Sequence, residues 1–189
     1  MKHLKEYMLF ESLDGSQITI GEFLQRIDIS PSRMDEIIKW WNENRSNIKI
    51  HFFPFKSIQP IAGVFLGTDT ICVNEKMQAP PHIRLFLALH ESRHCDQYME
   101  GGFMEGYHDT VVNGDLENFL TYYREAEEDA NIFAINGLRE MGFNREMDMA
   151  ETMLRRNEEA GNMVYNMMTR DINRLRPTDF FDLLKKQIM

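Results

Sequence analysis

The stretch that most constrains this chain is the run from Leu85 to His94, which ends in the pattern His-Glu-x-x-His. At a helical period of about 3.6 residues, His90 and His94 project from one face, close enough to bind one metal ion. Glu91 lies beside the first histidine, where its carboxylate can accept a proton from a water molecule at the metal. The five residues before His90 are all apolar, which predicts a buried helix whose polar groups need partners. The pattern therefore predicts a zinc site with Glu91 as the general base; the alternative is a partly exposed helix that carries these residues by chance.

Length and charge bound the class of protein. A chain of 189 residues with 43% hydrophobic and 27% charged residues is typical of one globular domain. We expect a single domain over 1–189, with a helical lead over 1–47, a metal-binding core over 48–141 and further helices over 142–189. The net charge of −9 argues against a nucleic-acid-binding surface, so no nucleic-acid partner is expected.

The cellular setting is predicted from what the sequence lacks. No apolar run reaches the roughly 18 residues that a transmembrane helix needs, so we expect no membrane association. The two cysteines, Cys72 and Cys95, are too few for a disulfide framework. With no signal peptide at the N-terminus, they favour a reducing, cytoplasmic location.

Periodicity and turn signals predict an α+β chain, with a small antiparallel sheet packed on a mainly helical bundle. Ser30 and Pro31 mark the start of one helix, since serine caps helices and proline is suited to the first helical position. The full set of predicted elements is helices at 21–27, 31–44, 82–99 and 115–141, helices after 142, a strand at 48–53, and a hairpin of strands 63–67 and 70–74.

The HExxH pattern supplies two metal ligands, and the third must come from elsewhere in the chain. A catalytic zinc usually takes three protein ligands and leaves a fourth position for water. Candidates after His94 are Glu100, His108, Asp109 and the acidic cluster at 125–129.

Helical geometry selects among the acids of that cluster. Glu127 lies about 70° from the centre of the apolar face of its helix, and Glu125 about 130° from it. Glu127 can therefore reach inward, whereas Glu125 and Glu128 are predicted to face solvent. Asn131, one turn beyond Glu127, is placed to hold a ligand histidine.

The segment Glu127-Glu-Asp-Ala-Asn-Ile-Phe-Ala134 resembles the E-x-E-A-N-x-F-A signature that follows HExxH in the ImmA/IrrE-like metallopeptidases, with Asp129 in place of the second glutamate. More broadly, HExxH with a glutamate on a later helix resembles the gluzincins. The resemblance covers roughly residues 60–140 and implies a zincin-like fold, Zn²⁺ held by His90, His94 and Glu127, and an endopeptidase acting on a protein or peptide. It also implies that the strand at 70–74 is the edge strand that pairs with substrate.

Two departures from that family leave rival interpretations open. The loop between the ligand helices is long, and no histidine follows His108, so the oxyanion-stabilising histidine of thermolysin-like enzymes has no counterpart. The main rival is a non-catalytic regulatory or structural protein that keeps a zincin-like fold and metal site. A purely structural zinc protein is a second rival, against which Glu91 beside an open coordination position argues. The candidates for the oxyanion partner are Tyr107, His108, Tyr122, Tyr123 and Arg124.

Overall fold

The structure is a computed structural model that describes residues 17–53, 63–66, 69–75, 77–100, 113 and 115–146. In chain order its elements are α1 (Ile20–Arg26), α2 (Pro31–Asn44), β1 (Lys49–Phe53), β2 (Gly63–Leu66), β3 (Thr70–Asn74), α3 (Pro81–Met99) and α4 (Leu116–Glu140). This mixture of helices and a small sheet is the α+β arrangement predicted from sequence. The predictions made for Tyr107, His108, Asp109 and the helices after residue 146 lie outside the described residues.

The two N-terminal helices begin where local signals place them. Thr19 and Glu22 form a capping box on α1, in which the Glu22 backbone N–H donates to Thr19 Oγ1 at 3.2 Å and the Thr19 N–H donates to Glu22 Oε2 at 2.7 Å. Pro31 is the first residue of α2, where its missing N–H costs no helical hydrogen bond. Ile37 and Trp41, four residues apart, are buried on one face of α2.

The sheet is mixed, with the strand order β1-β3-β2. β2 and β3 pair antiparallel, as the predicted hairpin requires, whereas β1 pairs parallel with β3. The expectation of a wholly antiparallel sheet is therefore wrong. A hairpin signal fixes only the relation of two successive strands, and the direction of β1 depends on packing between distant parts of the chain.

β3 is the central strand, not an edge strand. Ile71, Cys72 and Val73 are all buried. Because successive side chains of a strand point to opposite faces, both faces of β3 are covered. The implication that residues 70–74 form the edge strand is therefore wrong, since β3 has a partner on each side.

The helix α3 lies between the sheet and α4, with contacts to β2, β3 and α4. Leu85, Ala88 and Leu89 are fully buried, so the segment before His90 is buried as predicted, whereas Leu87 is partly buried and Met99 at the C-terminal end is exposed. On α4, Ala126, Ala130 and Ala134 are buried against it. Small side chains on one helix allow close approach of its neighbour, so the two helices can share a site at their contact. None of the described helices has the length and apolar character needed to cross a membrane.

Candidate metal centre

Two histidines of α3 and one glutamate of α4 converge at the contact between these helices. The Nε2 atoms of His90 and His94 lie 3.0 Å apart. Glu127 places Oε2 at 3.4 Å from His90 Nε2 and Oε1 at 3.5 Å from His94 Nε2. The three ligand atoms lie within 4.8 Å of one another, and among the described residues no other group of three such side chains is found. The structure therefore brings together the three residues that sequence reasoning chose as ligands.

The orientation of α4 distinguishes the acids of the cluster. Glu127 is partly buried beside the buried Ala126 and Ala130, while Glu125 and Glu128 are exposed. The predicted helical phase is therefore observed. Among the other candidates, Glu100 is occupied elsewhere, because its carboxylate accepts from the Arg93 guanidinium at 2.8 Å.

The far side of each imidazole is held by an amide. The Nδ1 of His90 lies 3.0 Å from Asn131 Oδ1, the contact predicted for Asn131, and the Nδ1 of His94 lies 2.7 Å from Gln97 Oε1. An amide oxygen only accepts, so each Nδ1 carries hydrogen and each Nε2 points inward. An imidazole Nε2 in this position donates to Glu127 when its ring is protonated and offers a lone pair when its ring is neutral. Such support is typical of histidines that bind metals.

Electrostatics in the cluster favour an ionised carboxylate. Burial alone would raise the pKa of Glu127, but hydrogen bonds and charge interactions with His90 and His94 outweigh it and lower that pKa to about 2. Burial likewise acts to lower the pKa of His94, and bonds to Glu127 and Gln97 reverse the effect and raise it. Glu127 is therefore an anion at neutral pH, the state in which a carboxylate binds a cation, and the metal must displace any proton on His94.

The donor set fits zinc. Two imidazole nitrogens and one carboxylate oxygen form the ligand set of many catalytic zinc sites, which leave a further position open. Two lone pairs facing each other at 3.0 Å beside a carboxylate repel unless a proton or cation lies between them. Chemistry and geometry are thus those expected for His90, His94 and Glu127 around a divalent cation.

Glu91 lies outside the ligand cluster, on the side of α3 that faces the sheet. Its charge raises the pKa of His94 and also contributes to the raised pKa of Cys72 on β3. Burial is the larger cause for Cys72 and for Cys95, and the pKa of each thiol rises to about 12. Both thiols are therefore neutral at ordinary pH in the metal-free protein. His51, on the predicted strand 48–53, lies opposite Cys72 in the β1–β3 register.

Sequence reasoning missed the polar groups that surround His94. The sequence patterns assign no role to Gln97, and Asp129 stands out only as the residue in place of a glutamate in the signature. In the structure Gln97 Nε2 donates to Asp129 Oδ2 at 2.8 Å, and Arg93 Nε donates to the same oxygen at 2.7 Å. The spacing of Gln97 three residues after His94 places both on one helix face and was the available signal.

Comparison with known proteins adds no further assignment. No family model, no curated protein and no solved structure matches the chain. Because function belongs to sites more than to folds, what the protein does is inferred from the chemistry of His90, Glu91, His94 and Glu127.

Proposed function

We propose that the protein is a zinc-dependent peptidase with a zincin-like fold, in which His90, His94 and Glu127 hold Zn²⁺ and Glu91 is the general base. The observation that carries the proposal is the convergence of two Nε2 atoms and a carboxylate, supplied by an HExxH helix and a later helix. The burial of α3 supports the proposal. Polar side chains such as His90 and His94 lose their hydration when they are buried, and a bound cation would offset that cost.

Each residue has a defined part in the proposed reaction. Zinc bound at this site would supply a Lewis acid and lower the pKa of a water molecule there. Glu127 contributes negative charge, since its low pKa keeps it ionised. Glu91, adjacent to His90 in sequence, accepts the proton of the attacking water and returns it to the leaving amine. Asn131 and Gln97 keep the two imidazoles oriented.

The strand suited to hold a peptide substrate is β2. Its only partner among the described residues is β3, whereas β1 also receives a hydrogen bond at its outer side, from Ile18 N–H to Ile50 O at 3.0 Å. β2 also contacts α3, the helix that carries HExxH. An extended peptide could add to that edge through main-chain hydrogen bonds, which recognise backbone more than side chains.

The competing proposal is a non-catalytic protein that retains the fold and the metal site. It is favoured by one feature of the sequence, the lack of any histidine after His108 that could stabilise an oxyanion. In that case the metal would serve stability or partner binding, and Glu91 would have no proton to transfer.

Replacement of Glu91 by glutamine separates the two proposals. Glu91→Gln keeps the size of the side chain and removes the base, so zinc content and thermal stability should persist while cleavage of an unbiased peptide library falls about 10²–10⁴-fold. The exposed Glu128→Gln is the matched control and should cleave as wild type does. Equal, measurable cleavage by wild type and Glu91→Gln would refute the assigned role of Glu91. A zinc-loaded wild type that cleaves nothing in the library would favour the non-catalytic protein.

A further inference from the structure

Gln97 is a buried amide that bridges the two helices of the metal centre. It lies on α3, three residues after His94, and is only 5% exposed. Its oxygen is 2.7 Å from His94 Nδ1, while its nitrogen donates to Ala126 O at 3.0 Å and to Asp129 Oδ2 at 2.8 Å. Both donors and the acceptor of this amide are thus occupied, two of them by groups on α4.

These partners fix which way the Gln97 amide points. If the amide were turned over, its oxygen would face the carbonyl of Ala126 and the carboxylate of Asp129, both of which only accept. A buried oxygen placed against two acceptors is costly, because no hydrogen lies between them. The Gln97 oxygen must therefore face His94, and the Nδ1 of His94 must carry the hydrogen.

Asp129 is in turn anchored by a second residue of α3. Arg93 Nε donates to Asp129 Oδ2 at 2.7 Å, and the same guanidinium also binds Glu100 at 2.8 Å. Asp129 Oδ2 thus accepts from a residue on each side, Arg93 and Gln97, and is held in place as the acceptor for the Gln97 amide.

We propose that Gln97, held by Asp129, is a positioning residue that fixes the Nδ1–H tautomer and ring orientation of His94, so that its Nε2 lone pair faces a divalent cation between His90 and Glu127. The effect on metal affinity rests on the proposed metal site, but the tautomer of His94 can be measured in the protein without metal. At position 129 this chain has aspartate where the signature that it resembles has glutamate. The role that we assign to this aspartate is to hold the Gln97 amide. Outer groups of this kind typically change metal affinity about 10–100-fold.

Two variants test the role of Gln97 against simple packing. Gln97→Met keeps the length of the side chain and removes the acceptor for His94. Asp129→Asn is the conservative comparison, because it removes the charge at position 129 but keeps an amide oxygen that can accept from both Gln97 and Arg93. Gln25→Met, at an exposed position of α1, controls for the replacement of a glutamine by methionine away from the site.

The first measurement is nitrogen NMR of the imidazole rings in metal-free protein under alkaline conditions. Wild type, Gln25→Met and Asp129→Asn should show a protonated Nδ1 on His94, and Gln97→Met should show loss of that proton from part of the molecules. The second measurement is Zn²⁺ affinity by competition with a chelator. Gln97→Met should bind zinc about 10–100-fold more weakly than wild type, and Asp129→Asn within a few-fold of it. If Gln97→Met does not fold, Asp129→Ala, at a half-exposed position, is measured in its place.

The outcomes separate this inference from the proposed function. A folded Gln97→Met with the wild-type ring signals and zinc affinity overturns the role of Gln97 and leaves the zinc site standing. Equal losses in both folded variants assign Gln97 a packing role and also overturn it. A wild type that binds no zinc refutes the metal site, while the ring signals of His94 in Gln97→Met still decide whether Gln97 fixes the tautomer.

Discussion

Removal of the Glu127 carboxylate is the most direct perturbation of the metal centre. Glu127 supplies one of three ligand groups and the only negative charge among them. Zinc bound by four protein ligands is worth about 10–16 kcal/mol, or roughly 2.5–4 kcal/mol for each ligand. At about 1.4 kcal/mol for each tenfold change, Glu127→Ala should weaken zinc binding about 10²–10³-fold.

The structure adds a second expectation, for the protein without metal. Glu127 interacts favourably with both histidines, which is why its pKa is lowered to about 2. Its side chain is 36% exposed, so solvent screens part of this interaction and the loss of unfolding free energy in metal-free Glu127→Ala should be small. Most of the effect should therefore appear only when zinc is present.

Zinc affinity is measured by chelator competition, together with thermal unfolding with and without added zinc. A ligand stabilises the folded state by RT ln(1 + [L]/Kd), so a 10²–10³-fold weaker Kd removes about 3–4 kcal/mol of zinc-dependent stabilisation at saturating zinc. Glu125→Ala and Glu128→Ala, at exposed positions of the same helix, are the controls and should match wild type. If Glu125→Ala loses zinc and Glu127→Ala keeps it, the assignment of the third ligand is refuted.

Three further predictions concern the scaffold around the site. Asp96→Ala leaves the buried Arg45 guanidinium without the carboxylate at 2.7 Å, so urea unfolding should show a loss of up to about 3 kcal/mol, and Arg45→Met/Asp96→Ala should lose less. Gly137→Val should destabilise by about 1–3 kcal/mol, because even its Cβ would lie 3.0 Å from the Trp40 ring; unchanged stability would contradict that contact. The capping box lowers the pKa of Glu22, mainly through its backbone hydrogen bond, so its stabilisation is present above the ordinary value of 4.5 and lost as pH falls through the lowered one. Unfolding of Glu22→Gln should accordingly depend less on pH in that acidic window than unfolding of wild type.

Features specified by local sequence were predictable. Pro31 begins α2 and Asp115 caps α4, as the helix-start signals indicate, since caps depend on residues within one turn. The pairing of His90 with His94 also follows from local geometry, because both lie on one helix. The inward position of Glu127 required only the phase of a long amphipathic helix, which the buried alanines define.

Features that join distant segments were not predictable in the same way. The parallel pairing of β1 with β3 sets the central position of β3, and no turn signal between neighbouring strands encodes it. The bond from Gln97 to Asp129 joins residues 32 positions apart, so it appears only when the rotation of α3 against α4 is known. Glutamine and aspartate on helix surfaces are common, and neither residue alone indicates a contact with the other.

The close approach of α3 and α4 connects the packing of the chain to its proposed chemistry. Gln97 on α3 reaches the backbone carbonyl of Ala126 on α4, a contact at 3.0 Å that a larger side chain between the helices would obstruct. The distance between two packed helix axes varies by about 2 Å with the size of the side chains at the contact. A shift of that size equals a whole zinc–ligand bond of about 2 Å, so it would move a carboxylate on one helix out of range of a cation held by the other. In the proposed metal site, Glu127 would share one cation with two histidines across this contact, so its position would depend on the small residues beside it. Ala126 and Ala130 are buried there, and their small side chains permit the close approach that the proposed site needs.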